Sequence, residues 1–314
     1  MSFHDPVFLR FFGIYMGLLA VGGSVLGVLR ATVKRDLGHA WRSYRGWLLM
    51  VPVFLGAVAL GRVPTVLFLA VLAGLAFKEF ARGTGLYRDW GMTVTVYAGI
   101  LGVALVTVVQ DPTYGRPGWL GTFLAMPVYV VAAILIVTIL RDRTRGQLQS
   151  MALATIGFIY IGWMFGHLAF LVNAPHAYGY LMYLVLAVEA NDIAAYVCGR
   201  LFGRRKLRPH VSPGKTVEGA IGALAVSLAL PFVFRFALPG LTTGQLALTG
   251  LIVGVGGQLG DLSISVIKRD LGVKDMGALI PGHGGVLDRI DSLIFTAPLF
   301  FHMVHYCQGI YELA

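Results

Sequence analysis

Ten apolar stretches follow one another along this chain, at roughly residues 7–29, 47–61, 63–77, 92–109, 118–140, 151–173, 178–199, 218–238, 244–263 and 290–307. Hydrocarbon offers no water to backbone amides and carbonyls, so an apolar run of about 20 residues placed there is confined to a helix. The repetition predicts an all-α fold, a polytopic integral membrane helix bundle of about 9–10 transmembrane helices. The second and third runs are short. Gly61-Arg62 and Pro64 between them suit a tight turn, or one re-entrant pair. The longest polar gap is about 25 residues, too short for a separate soluble domain. The first run lacks a basic leader and a small-x-small cleavage site and is followed by Lys34-Arg35, which predicts a retained anchor.

Lys and Arg set the expected orientation. They cluster in alternate gaps: Arg30 to Arg45, Lys78 to Arg88, Arg141 to Arg145, the six bases from Arg200 to Lys215, and the stretch 268–289. The intervening gaps carry one base or none. This alternation predicts ten crossings with both termini outside and the charged loops in the cytoplasm, as in a bacterial inner membrane. The net charge of +10 then follows from topology and attraction to anionic headgroups, and nucleic acid is not an expected partner. Cys198 and Cys307 lie in apolar runs and suggest neither a disulfide nor a zinc site. Many of the 41 glycines fall in small-xxx-small spacing, such as Gly13/Gly17, Gly250/Gly254 and Gly256/Gly260. This favours close packing inside one bundle over a dimer interface, with a homodimer as the lesser expectation.

Polar residues are rare before about residue 185. The chain accordingly divides into an amino-terminal transmembrane scaffold half, 1–175, and a carboxy-terminal catalytic half, 176–314, within a single membrane unit. Three constellations occupy the second half. In the first, Asp192, Tyr196 and Arg200 share a helix face, with Glu189 one turn earlier. A carboxylate inside a span is costly, so it normally faces a cavity or a partner. A structural Asp–Arg pair is the bland alternative. The second is Ser212-Pro213-Gly214-Lys215-Thr216, where the phosphate-loop pattern fails for want of its upstream glycine. A turn leading into a helix capped by Thr216, with Lys215 beside the first amides, still suits an anion.

The third, from Gly260 to Asp291, is dense in charge although charged residues make up only 13% of the chain. Asp261, Ser265 and Lys268 form one helical stripe, and Asp288 and Asp291 share a face that Arg289 does not. Three carboxylates, Asp261, Asp288 and Asp291, at one membrane depth would repel each other. A divalent cation held by hard oxygen ligands removes the conflict and points to Mg²⁺. Lys268, Arg269, Lys274 and Arg289 are expected to clamp phosphates. The glycine-rich turn Pro281-Gly282-His283-Gly284-Gly285 offers amides to phosphate oxygens. His283 is as well placed for a structural hydrogen bond as for proton transfer.

The run Ser265-x-Ile267-Lys268-Arg269-x4-Lys274-Asp275-x-Gly277-x2-Ile280-Pro281-x-His283-Gly284-Gly285-Val286-x-Asp288-Arg289-Ile290-Asp291 resembles the signature of the phosphatidate cytidylyltransferases, the CDP-diacylglycerol synthases. Asp192 to Arg200 and Ser212 to Gly219 are similar to two further segments of that family. Glu189 and Ile193 depart from its usual Trp and Ser or Thr around the intramembrane acid. The resemblance implies transfer of CMP from CTP to phosphatidic acid, giving CDP-diacylglycerol and pyrophosphate in phospholipid biosynthesis. It implies Mg²⁺ on Asp261, Asp288 and Asp291, paired with a monovalent cation such as K⁺. Lys268 and Arg289 would bind phosphates, with Asp192, Arg200, Ser212, Lys215 and Ser265 around the substrates. The competing expectations are a CTP-dependent prenol or lipid kinase, which would release CDP, and a cation-coupled transporter, which would spread its charges through the membrane depth.

Overall fold

The computed structural model describes residues 4–32, 37–142, 144–280, 282 and 284–309. Among them are ten helices: α1 (Pro6–Thr32), α2 (Gly38–Ala59), α3 (Arg62–Gly83), α4 (Trp90–Val108), α5 (Leu120–Leu140), α6 (Gln147–Asn173), α7 (Ala177–Phe202), α8 (Val217–Val233), α9 (Thr243–Asp270) and α10 (Leu287–Gln308). Each expected apolar run lies within or largely within one helix, and the chain is an all-α polytopic membrane protein. Seven helices are long and apolar enough to cross a bilayer; α2, α8 and α10 fall outside that group. With 17 residues, α8 spans about 26 Å at about 1.5 Å per residue, just under a hydrocarbon core of about 30 Å. Polar residues lie near the start of α2 (Arg42, Ser43, Arg45) and of α10 (Asp288, Asp291, Ser292).

The helix ends differ from the apolar runs because polar turns extend them. Helices α2 and α3 have 22 residues each and meet at Gly61, whose φ of 104° only glycine adopts readily. They are two separate helices of full length rather than a short re-entrant pair. Helix α9 continues seven residues past its apolar run, carrying Ser265 and Lys268 on regular helix. Within α6, Gly157–Met164 winds as a π-helix.

One local departure from helix lies beside the site. Lys206–Arg208 (β1) and Ser212–Thr216 (β2) form an antiparallel hairpin pairing Lys206 with Thr216 and Arg208 with Ser212. The sequence suggested a turn here, and the cross-strand pairing makes it a strand instead. Thr216 does cap α8, its hydroxyl accepting from the amide of Gly219 at 3.1 Å. Glu218, in the first turn, accepts from the amides of Arg204 and Arg205 and closes the hairpin onto the helix.

The glycines of α9 bring its neighbours close. A methyl group at Gly250 would meet backbone of α8 at 2.6 Å, and one at Gly260 would stand 2.5 Å from the Asp291 carbonyl of α10. Here the small-residue spacing serves packing inside the bundle. Gly13 and Gly17 of α1 instead face open space. The two halves are tied at several points, among them Tyr15 of α1, which donates to the Met182 carbonyl of α7 at 3.1 Å.

Candidate active site

Close packing of α7 to α10, with β2 laid across them, leaves a cavity of about 610 Å³. Its walls carry Asp192, Tyr196 and Arg200 from α7, and Ser212 and Lys215 from β2. Gln258, Asp261 and Lys268 come from α9, and Asp288, Arg289 and Asp291 from α10. Four acids (Asp192, Asp261, Asp288, Asp291) face four bases (Arg200, Lys215, Lys268, Arg289), so the lining is formally neutral.

Two ion pairs cross this space, and their burial separates their roles. Lys268 Nζ lies 2.8 Å from Asp288 Oδ1, with side-chain exposures of 11% and 2%. The other Asp288 oxygen accepts from the amides of Met276 at 2.9 Å and Gly285 at 3.1 Å. Removing one partner of a pair this buried costs about 3–5 kcal/mol, so this is a fixed joint. Lys215 Nζ lies 2.8 Å from Asp261 Oδ2, but Asp261 is 30% exposed. With Lys215 at 15% as well, this pair is the more open of the two and is the one placed to separate for a ligand. Ser265 donates to the other Asp261 oxygen at 3.1 Å and holds the carboxylate from behind without lining the cavity. Asp291 accepts from the Ser292 amide at 2.7 Å, and the Ser292 hydroxyl donates to Asp192 at 3.2 Å. Arg200 donates to the Tyr196 hydroxyl at 2.8 Å on the rim.

Several expectations change in the folded chain. Asp288 is committed to Lys268 and two loop amides, and so acts as an anchor for the loop before α10. Among the described residues, no three His, Cys, Asp or Glu side chains are gathered closely enough to hold a metal ion by themselves. One amide of the glycine-rich turn and the two that follow the turn are engaged within the protein. Gly285 donates to Asp288, while Val286 and Leu287 donate to the two carboxylate oxygens of Glu79 at 3.0 and 2.9 Å. Arg269 points away from the cavity, donating to the carbonyls of Val211 and Val273 and pinning the hairpin to the end of α9. Lys274 is exposed outside it. Arg289, assigned to another side of its helix, is on the wall. His283 lies outside the described residues.

Glu79 is among the residues of this region that sequence reasoning missed. It reaches from α3 to the N-terminus of α10, and Gly277 and Gly285 leave room for it: a methyl at either would fall within 2.4 Å of its carboxylate. The signal was present as an acid at the end of an apolar run, but it stands beside Lys78 in what reads as a basic loop.

Behind the charged cavity is a second one, of about 480 Å³. Aromatic and aliphatic side chains of α1, α2, α3, α6, α7 and α10 line it, including Tyr15, Trp47, Phe54, Phe68 and Phe165. Among its described lining residues, only Glu189 and Arg289 are charged. Glu189 thus opens on apolar walls, whereas Asp192, one turn away, lines the charged cavity. Arg289 belongs to both. On the rim, Leu49 and Val53 are 59% and 49% exposed, so the apolar cavity opens on the outer surface of the bundle.

Fold and site together define a polytopic integral membrane protein that holds a charged cavity against an apolar one. More narrowly, the chain belongs to the cytidylyltransferase family, whose sequence pattern matches residues 42–307, and it is a nucleotidyltransferase of the membrane. The phosphatidate cytidylyltransferase of Staphylococcus haemolyticus (strain JCSC1435) is 34% identical over 248 residues, 79% of this chain and 92% of that one. That of Staphylococcus aureus (strain COL) is 32% identical over the same shares. The Escherichia coli K12 protein YnbB is 46% identical over 165 residues, 49% of this chain and 55% of YnbB, so the chain spans about half the length of that relative. The resemblance drawn from residues 265–291 holds at family level.

Proposed function

We propose that the protein is a phosphatidate cytidylyltransferase, transferring CMP from CTP to phosphatidic acid with release of pyrophosphate. One observation carries this reading: Arg289 stands in the wall between the charged cavity and the apolar one. A nucleotide triphosphate suits the first, an acyl chain entering past Leu49 and Val53 suits the second, and the guanidinium between them suits the lipid phosphate. In the proposed reaction an oxygen of the lipid phosphate attacks the α-phosphorus of CTP, a new P–O bond forms, and the bond to the β-phosphate oxygen breaks. The nucleophile needs no strong base, because the second pKa of a phosphate monoester lies near about 6.

The protein's task is then to gather anions in line and offset their repulsion. Arg289 holds the acceptor phosphate. Lys215 exchanges Asp261 for a phosphate oxygen, and Arg200 closes the hairpin side. Lys268 and Asp288 keep the loop before α10 in place. A neutral lining cannot by itself balance a triphosphate, so the reading includes Mg²⁺ arriving with CTP. Asp261 and Asp291 are the residues that would hold it, with Asp192 nearby; Asp288 fits less well, being already engaged. Bound there, such an ion would polarise the phosphoryl oxygens. A K⁺ beside it is part of the proposal. So are a bacterial inner-membrane location and a site facing the cytoplasm, where CTP is found.

The test is to incubate purified protein in detergent with CTP, Mg²⁺ and phosphatidate. CDP-lipid and pyrophosphate in equal amounts are expected. Release of CDP with a phosphorylated lipid would instead mark a kinase, and absence of both products would refute the reading.

A further inference from the structure

Each acid of the charged cavity has a partner within the protein: Asp192 the Ser292 hydroxyl, Asp261 the Lys215 ammonium, Asp288 that of Lys268, and Asp291 the Ser292 amide. Glu189 stands apart from them. It borders the apolar cavity and not the charged one. Among the described residues it makes no hydrogen bond and no ion pair. It keeps part of its surface open. Its carboxyl lies close enough to the Tyr15 hydroxyl of α1 and the Arg289 guanidinium of α10 to act on both electrostatically, and both residues line the same cavity. The carboxyl therefore belongs to the space in which the lipid is placed, not to the packed interior of the bundle.

A carboxyl group among apolar walls is costly unless something bonds it, and an acid kept inside a span marks a place where a partner does so. Tyr15 does not supply that bond, because its hydrogen goes to the Met182 carbonyl at 3.1 Å. A metal ion is a poor occupant. Hard cations take several oxygens, and the described lining residues offer no second carboxylate. The partner must then come with the lipid. An acceptor with its phosphate on Arg289 would bring its glycerol carbons next into the apolar cavity, beside Glu189. Ester carbonyls there can only accept, so they answer a carboxyl only when it is protonated. A free hydroxyl both donates and accepts, and so bonds the carboxyl in either state.

We propose that Glu189 is a specificity-determining residue for the acceptor. Its carboxyl bonds a free hydroxyl on the carbon next to the one that bears the phosphate, so that the chain takes monoacylglycerol phosphates as well as phosphatidate. The reaction is the same one: a phosphate oxygen bonds the α-phosphorus of CTP, pyrophosphate leaves, and the hydroxyl stays intact. This rests on the cytidylyltransferase reading and deepens it.

The experiment compares wild type, Glu189→Leu and Glu189→Gln in detergent with CTP, Mg²⁺ and three acceptors. These are phosphatidate, 1-acylglycerol 3-phosphate, and the acyl propanediol phosphate that lacks only the hydroxyl of the second. The two single-chain lipids differ in that group alone, so their ratio of kcat/KM reads the hydroxyl and not the number of chains. Wild type is expected to favour the hydroxyl-bearing lipid by about 10–100-fold. Glu189→Leu should bring the ratio close to unity. Glu189→Gln keeps an oxygen that can accept and should retain part of the preference, which covers the case in which the leucine variant does not fold. A wild type that turns over phosphatidate but does not distinguish the two single-chain lipids overturns the proposal. So does a folded leucine variant that keeps the preference, or one slowed equally on all three acceptors, which would make Glu189 a structural residue. Absence of CDP-lipid from the wild type with every acceptor defeats the underlying reading; turnover of phosphatidate without the hydroxyl preference defeats this inference alone.

Discussion

At the scale of single residues, the four cavity acids do different work. Asp261 is partly exposed and holds a pair that can open, so Asp261→Asn is expected to abolish CDP-lipid formation with little change in thermal unfolding in detergent. Asp288→Asn should abolish it too, but for another reason. It leaves the buried Lys268 ammonium unpaired and turns an amide toward a loop of donors, and a destabilisation of about 3–5 kcal/mol is expected. Equal unfolding midpoints for the two variants would contradict this division. Glu79→Ala should strand the amides of Val286 and Leu287 at a cost of about 1–3 kcal/mol and slow turnover, although Glu79 lines neither cavity. Glu79→Gln, which can satisfy only one of the two, should fall between Ala and wild type in both measurements. The acids of the second half were legible in the sequence because a charge in an apolar run is conspicuous. Glu79 was not, because its partners lie 207 and 208 residues away, and Gln258 was not, because it carries no charge to draw attention.

At the scale of helices, the charged cavity exists because α9 can lie against α8 and α10 at backbone distance. Gly260→Ala puts a methyl 2.5 Å from the Asp291 carbonyl and 2.8 Å from Ser292 Cα, with no flexible side chain to yield. It is expected to cost about 1–3 kcal/mol and to reduce turnover strongly by parting Asp261 from Asp291. Gly17→Ala, with nothing within 4 Å, should change neither. Comparable losses from both would mean that α1 has a contact of its own. The number and order of helices were legible from hydropathy, since no other regular structure satisfies a backbone in lipid. Their ends were not, because polar turns such as Arg42–Arg45 and Ile264–Asp270 continue a helix after the apolar signal stops. The hairpin was hidden for a related reason: Ser212-Pro213-Gly214 has turn composition, and only pairing with Lys206–Arg208 makes it a strand.

At the scale of the whole molecule, charged loops meet in pairs, Asp89 with Arg141 and Arg269 with the Val211 carbonyl, and the Lys and Arg alternation leads us to expect them in the cytoplasm. A cysteine replacing Lys274 should be shielded from an impermeant thiol reagent in intact cells, and one replacing Thr243, at the opposite end of α9, should be labelled. The reverse pattern would put the site on the side without CTP. Arg289 carries a kinetic consequence for the proposed reaction. A guanidinium standing in two compartments meets one reactant counted per litre and another counted per unit of surface. Diluting phosphatidate with inert detergent at constant total phosphatidate should therefore slow the reaction, while adding more micelles of the same composition should not. The enzyme would sense how crowded its lipid is in two dimensions, so its output would track the make-up of the bilayer around it.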